Sequence, residues 1–269
     1  MDTFNTVSIP IFHIDAFASE PFRGNPAGVC LLPSMTKEDW MLKVASEINL
    51  SETAFVVREG HKFRLRWFTP NTEVDLCGHA TLATAHVLWS EGLLSSGDPA
   101  VFETLSGTLI ARKDGEWIVL DFPAEPAESC DHPEGLLPAL GISCSLIAKN
   151  RMDYLVLAGS EEVVRNMNPD VDALASIKTR GIIVTAPSKE NGFDFVSRFF
   201  APAIGIDEDS VTGSAHCCLA PFWSDRLGKF RTTARQISQR GGILRTEVFG
   251  DRVMIAGKAI TVLKGEWMV

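Results

Sequence analysis

The six cysteines (Cys30, Cys77, Cys130, Cys144, Cys217 and Cys218) form no CxxC pair, and the six histidines complete no zinc-like spacing with them. No metal site is expected from the chain. Six thiols in 269 residues are too few for a disulfide-stapled scaffold and fit reduced cysteines in a reducing compartment. Clusters of Lys and Arg are missing too, and a net charge of −9 argues against a nucleic-acid surface. That acidity is dispersed, which serves solubility and names no partner. No apolar run approaches the roughly 20 residues that cross a bilayer. The opening MDTFNTVSIPIF has neither the basic start nor the long apolar core of a signal peptide. These absences lead to the expectation of a cytoplasmic, soluble protein that engages neither nucleic acid nor membrane.

What the chain does contain is a repeat of itself. RWFTPNTEVDLCGHATLATA, from Arg66, can be laid over RFFAPAIGIDEDSVTGSAHCCLA, from Arg198. Gly60, Arg66 and Pro70 then fall on Gly192, Arg198 and Pro202, an offset of 132. After three extra residues the offset becomes 135, and Gly78, Gly107 and Gly115 fall on Gly213, Gly242 and Gly250. The length suits two domains of ordinary size. The expected halves are 1–122 and 130–269, joined by the Pro- and Glu-rich FPAEPAES, Phe122 to Ser129.

Alternation of β-branched and aromatic residues between Gly, Pro and Asp predicts strands at Ser8–Ala16, Thr53–Val57, Phe63–Phe68, Gly107–Arg112 and Glu116–Asp121. Thr36 is the expected N-cap of a helix reaching Ile48. Another helix starts at Gly78-His79, is apolar almost all round, and stops at Gly92; such a helix belongs inside a fold. The second half repeats the plan, with its own buried helix from Gly213-Ser214 to about Gly228. The fold class is therefore α+β, two mostly antiparallel β units each wrapped around one buried helix.

A helix start leaves backbone N–H groups unpaired and carries about half a positive charge, so a glycine-led start takes carboxylate or phosphate readily. Gly78 and Gly213 are either such sites or inherited turn residues. His79, in a first turn, is either a satisfied core histidine or a proton relay kept neutral by the helix dipole. Cys77 is either packing or a thiol favoured as thiolate by the helix start. Of Asp207, Glu208 and Asp209, at most one faces a cleft, while the others cap a helix or are solvated. Ser214 is a first-turn residue or a ligand donor. Glu52, at a helix-to-strand junction, is a candidate base if burial raises its pKa.

Four segments give these residues a family context: DAFASEPFRGNPAGV (Asp15 to Val29), LSETAFV (Leu50 to Val56), FTPNTEVDLCGHAT (Phe68 to Thr81) and GIDEDSVTGSAH (Gly205 to His216). In this order they resemble the PhzF-like, phenazine-biosynthesis isomerase family, which shares the diaminopimelate epimerase fold. The resemblance implies two pseudo-symmetric domains, each a barrel-like sheet around a central helix, with the active site between them. It also implies no metal or organic cofactor, and members commonly form homodimers. The family's catalytic glutamate, site histidine and aspartate fall on Glu52, His79 and Asp209, and its substrate-touching serine on Ser214. Asn25 aligns with a substrate-contacting asparagine of the epimerases. Those epimerases place a thiol before each helix-start glycine; here the first is Cys77 but the second is Thr212, which disfavours two-thiol racemisation.

The expected activity is cofactor-independent proton transfer between carbons of a small carboxylate, with Glu52 as base. Gly78, Gly213, Ser214 and Asn25 would hold the substrate, and His79 and Asp209 would orient it or relay the proton. Two other readings stand beside it: a non-enzymatic metabolite-binding or regulatory protein, and a thiol hydrolase built on Cys77 and His79. Substrate identity is not written in the sequence.

Overall fold

A computed structural model describes residues 8–268. Met1 and Val269, the outer ends of the two expected halves, lie outside the described residues. In chain order the elements are β1 (Ser8–Ala16), β2 (Asn25–Leu32), α1 (Glu38–Ile48), β3 (Glu52–Glu59), β4 (Lys62–Phe68), β5 (Glu73–Val74), α2 (Gly78–Ser90), β6 (Ala100–Thr104), β7 (Gly107–Asp114) and β8 (Trp117–Pro123). Then follow β9 (Glu128–Ser129), α3 (Leu136–Leu140), β10 (Cys144–Lys149), β11 (Asp153–Ala158), α4 (Glu161–Asn166), α5 (Val171–Ala175), β12 (Gly181–Pro187), β13 (Phe195–Ala201) and β14 (Ile206–Asp209). The chain continues with α6 (Gly213–Leu227), β15 (Arg231–Gln236), β16 (Gly242–Phe249), β17 (Arg252–Gly257) and β18 (Ala259–Met268). Among the described residues no helix is long and apolar enough to cross a membrane.

The chain separates into two compact units, residues 1–120 with 257–269 and residues 121–256. The last strand therefore groups with the first unit, because β18 pairs along the whole length of β1. The expected halves differ from these units at that strand.

In the first unit β1 pairs antiparallel with β2, β2 parallel with β3, and β3 antiparallel with β4. Strand β4 then pairs with β5 and, in parallel, with β6, which continues antiparallel through β7 to β8. Alternate residues Cys30 and Leu32 of β2 and Phe55 and Val57 of β3 pack with Met41, Val44 and Ala45 of α1. The residues between them project from the other face, where α2 lies against β1, β2, β3, β7 and β18. A sheet covered on both faces needs apolar residues at nearly every position of its central strands, which NPAGVCLL supplies. Helix α2 is buried at ten of its thirteen residues, as its all-round apolarity predicts.

The second unit has the same succession of pairings. Strand β10 is antiparallel to β9 and β11, β11 is parallel to β12, and β12 is antiparallel to β13. Strand β13 pairs with β14 and, in parallel, with β15, which leads antiparallel through β16 to β17. One side chain pairing recurs as well. Arg66 forms a two-pronged ion pair with Glu73 across β4 and β5, and Arg198 does the same with Glu208 across β13 and β14. Helix α6 holds a proline, Pro221, whose missing N–H frees the carbonyl of Cys217 four residues back. The Glu125 N–H donates to that carbonyl at 3.0 Å, so the proline ties the Phe122–Ser129 connection onto the helix.

Two local expectations change. Helix α1 is capped by Lys37 with no side-chain hydrogen bond, so Thr36 is not its N-cap. None of Asp207, Glu208 and Asp209 caps α6, whose N-cap is Thr212.

His216, on α6, is wholly inside the second unit, stacked on Phe195, which stacks in turn on Trp223. Its Nδ1–H donates to the Thr212 carbonyl at 2.8 Å. Burial pushes its pKa down to about 4, so the ring is neutral. In the unfolded chain it takes up a proton below about 6.5. Stability should therefore drop by about 3 kcal/mol as pH falls from 6.5 towards 4, from this residue alone. In urea unfolding across that range, His216→Gln, which keeps a donor for Thr212, is expected to lose correspondingly less.

Candidate active site

Strands β2 and β3 run parallel with Ala27 opposite Glu52, so Asn25 and Glu52 emerge at the same end of the pair. The turn that delivers Asn25 needs glycine at 24: φ is +68°, and a Cβ there would sit 2.1 Å from the Ala16 carbonyl oxygen. Asp15, buried beneath it, accepts from the Phe22 N–H at 2.7 Å and pins the same turn. The start of α2 meets these strand ends, and its first turn carries His79.

The result is a chain of contacts centred on one imidazole. Nε2 of His79 lies 3.1 Å from Oε2 of Glu52, a charge contact not aligned as a hydrogen bond. The second ring nitrogen, Nδ1, lies 3.4 Å from the Asn25 side-chain nitrogen and 3.6 Å from Sγ of Cys77. Ser51 donates to the Asn25 carbonyl oxygen at 3.4 Å and holds that amide in place. Cys77 is 6% exposed and the Glu52 side chain 14%, so the carboxylate is the more solvent-facing end of the chain.

Burial works against a charge on His79, but the charges of Cys77 and Glu52 outweigh it and carry its pKa well above the ordinary histidine range. The expectation of an imidazole kept neutral by the helix dipole is corrected: a carboxylate at 3.1 Å outweighs half a helix charge. Burial, then the Glu52 charge, raises the Cys77 thiol, so the partner that settles the His79 charge at neutral pH is Glu52. A raised histidine pKa contributes stability that is complete below about 6.5 and is lost as pH climbs through the folded value.

Ligand atoms of Glu52, Cys77 and His79 fall within 4.8 Å of one another, a spacing a metal ion could span. The thiol lies nearest Nδ1 and the carboxylate nearest Nε2.

The other named residues sit in the second unit. Thr212 donates to Asp209 through its hydroxyl and to Gln236 through its N–H. The Gln236 amide donates to the Asp209 carbonyl at 2.8 Å and to the Thr212 hydroxyl at 3.2 Å. This buried amide therefore sets the loop that ends at Gly213. Ser214 accepts from Arg180 at 3.0 Å. The Arg180 guanidinium is itself held two-pronged by Asp153, which is 0% exposed, while the Arg180 side chain is 31% exposed. Gly181 makes room for this pair, since a Cβ there would lie 3.1 Å from an Asp153 oxygen and 2.2 Å from the Phe199 ring.

The structure thus brings Asn25, Glu52, Gly78 and His79 together in the first unit, with Cys77, and Asp209, Gly213 and Ser214 together in the second. Sequence reasoning did not single out Arg180, Asp153 or Gln236. The signal for the first two was an Asp and an Arg ahead of two apolar strand runs, too common a pattern to mark.

The sequence pattern of the family described as phenazine biosynthesis-like protein matches residues 14–265. An uncharacterized isomerase of Halalkalibacterium halodurans is 50% identical over 264 residues, covering 98% of this chain and all of that protein. The crystal structure of a PhzF-family protein of Enterococcus faecalis superposes with a TM-score of 0.94 at 43% identity, over 98% of this chain and 100% of that one. A predicted epimerase of Pseudomonas aeruginosa, 18% identical over 97% of this chain and 99% of its own, shares the fold with a TM-score of 0.71.

Removing one partner of a buried pair leaves an uncompensated charge. Arg180→Met is expected to destabilise the protein by on the order of 3 kcal/mol in urea unfolding. The double variant Arg180→Met with Asp153→Leu should recover most of that loss.

Proposed function

This chain belongs to the phenazine biosynthesis-like family, and from that premise we propose that it is a cofactor-independent isomerase moving a proton between carbons of a small carboxylate. The close relative of the first comparison is itself named an isomerase, which supports an enzyme of that general class. The observation that carries the finer reading is the Glu52 carboxylate set against the His79 ring in a largely buried pocket of charge. Glu52 is the base: of the two acidic groups beside the ring, Glu52 and Cys77, it has the more solvent access, and His79 behind it balances its charge before and after the proton moves. A positioned carboxylate of this kind contributes about 10²–10⁴-fold to proton transfer.

The start of α2 supplies the complementary part. Its N-cap Cys77 makes no side-chain cap, which leaves first-turn backbone N–H groups for the substrate carboxylate or for charge developing as the C–H bond breaks. Asn25, beside the ring, would orient the substrate. Asp209 would orient the substrate or relay the proton and Ser214 would touch it, both on the family pattern; Gly213 would hold it as a second helix start, and Arg180 joins them as a positioning residue because it grips Ser214.

The experiment is proton exchange at carbon. A panel of small carboxylates, including amino, hydroxy and dihydroaromatic acids, is incubated with the protein in D₂O and followed by NMR for loss of a C–H signal. Glu52→Gln should keep the fold and lower the exchange rate by at least about 10²-fold. Exchange that survives in Glu52→Gln removes this residue as the base. Saturable binding without exchange for every acid in the panel favours a metabolite-binding protein instead.

A further inference from the structure

One turn beside the candidate site holds a side chain that the fold does not use. Among the described residues, Phe17 (φ +60°) and Phe22 (φ +67°) both adopt positive φ, and both lie in the loop between β1 and β2. A bulky side chain in that region is strained, and glycine or asparagine would occupy the same turn at less cost. Burial offsets the strain at Phe17. Its ring fills the space that Gly257 leaves, where a Cβ would lie 2.2 Å from it, and the neighbouring Ala18 N–H donates to the Lys258 carbonyl at 3.2 Å.

Phe22 has no such compensation. Its ring is 72% exposed, so a strained turn presents a large apolar surface to solvent. Phe230 and Phe249 are as exposed but carry no positive φ. The turn is fixed from both sides: the Phe22 N–H donates to the buried Asp15 carboxylate at 2.7 Å, and Gly24 passes close to the Ala16 carbonyl. The contacts that deliver Asn25 to His79 therefore also hold the Phe22 ring. Three residues span at most about 11 Å, which keeps Phe22 beside the Asn25–His79 contact.

A second exposed apolar residue, Leu76, precedes His79 by three residues on a different loop. The Ser106 hydroxyl donates to the Asp75 carbonyl at 2.7 Å and ties that loop down as well. Charged groups thus occupy the centre of this end of the first unit, with exposed apolar side chains on two anchored loops next to them.

We propose that Phe22 is a specificity-determining residue whose ring, with Leu76, covers an apolar body on the substrate. The site then takes carboxylates bearing a hydrocarbon ring or chain in preference to short or polar acids. The proposal rests on the isomerase reading for the carboxylate and adds the part of the substrate which that reading leaves open. A carboxylate held at the start of α2 directs its remaining carbons away from the N–H groups, and covering them removes apolar area from water on both partners. A ring already held in place gives up little freedom when the substrate arrives, and strain of this kind persists at ligand clamps.

The test is a titration with acetate, cyclohexanecarboxylate and cyclohexanecarboxamide, followed through the NMR signals of the His79 ring in wild type, Phe22→Leu and Phe22→Gly. Wild type is expected to bind cyclohexanecarboxylate at least about tenfold more tightly than acetate. Phe22→Gly should lose most of that preference while its acetate binding stays unchanged. Its melting temperature should not fall, because glycine accepts this φ without strain and the exposed ring adds little to the core. Phe22→Leu, apolar but smaller, should keep part of the preference. Equal affinity of wild type for the two acids, or a preference untouched in Phe22→Gly, overturns the proposal and leaves the carboxylate reading standing. A lower melting temperature in Phe22→Gly with acetate binding lost in parallel also overturns it, since that is the pattern of a structural residue. Amide bound as tightly as acid, with the tightness lost in Phe22→Gly, sustains the ring contact and counts against the carboxylate on which the isomerase reading depends. A His79 ring that responds to none of the three ligands overturns both.

Discussion

The contact of the Glu52 carboxylate with the His79 ring is the constraint on which the first unit depends. Bringing a carboxylate into a largely buried position is costly unless a positive partner meets it, and His79 is that partner. The surrounding architecture serves the meeting. Parallel β2 and β3 begin together, Gly24 lets the preceding turn approach its own strand closely, and the apolar α2 has no choice but to lie inside with its first turn at those strand ends. A buried pair without full hydrogen-bond alignment is poorly satisfied on its own. It makes sense as a site that improves when something else binds, which is the usual signature of chemistry rather than of scaffolding.

The second unit has the same succession of strand pairings but spends its charges differently. There the pair that backs the helix start is Arg180 on Asp153, well aligned and two-pronged, and the residue it grips is a neutral Ser214. The thiol position of the first unit is taken by Thr212, whose hydroxyl is committed to Asp209. Its histidine, His216, is driven neutral by burial, whereas His79 is driven towards charge. One strand order thus carries two electrostatic designs. The first keeps mobile protons, and the second keeps fixed donors.

Much of this was legible in the residues. The repeat around Arg66 and Arg198 led to two similar strand successions, and the same two arginines hold equivalent glutamates. The buried helix after Gly78 was visible because apolar residues cover almost all of its faces, and the one after Gly213 because the second half repeats the plan. Strand β2 was hidden by the Pro and Gly of NPAGVCLL, which composition assigns to a turn. The Thr36 cap failed because side-chain capping is only one way to start a helix. The charge on His79 was misread because local sequence shows the helix dipole but not a glutamate from another strand. Arg180, Asp153 and Gln236 were unreadable for the same reason: their roles come from contacts made between distant segments. The carbonyl freed by Pro221 shows the limit most plainly, since the proline is visible in the sequence but its partner, Glu125, is set only by the fold.

The central claim is that Glu52 stands charged against His79 and sets the protonation of that ring. The most direct measurement is an NMR pH titration of the His79 ring nitrogens and carbon-bound protons in wild type and in Glu52→Gln. The account predicts a wild-type midpoint clearly above the ordinary histidine value of about 6.5 and a lower one in the variant. A wild-type ring that titrates at or below that value, or a midpoint unmoved by Glu52→Gln, would contradict it.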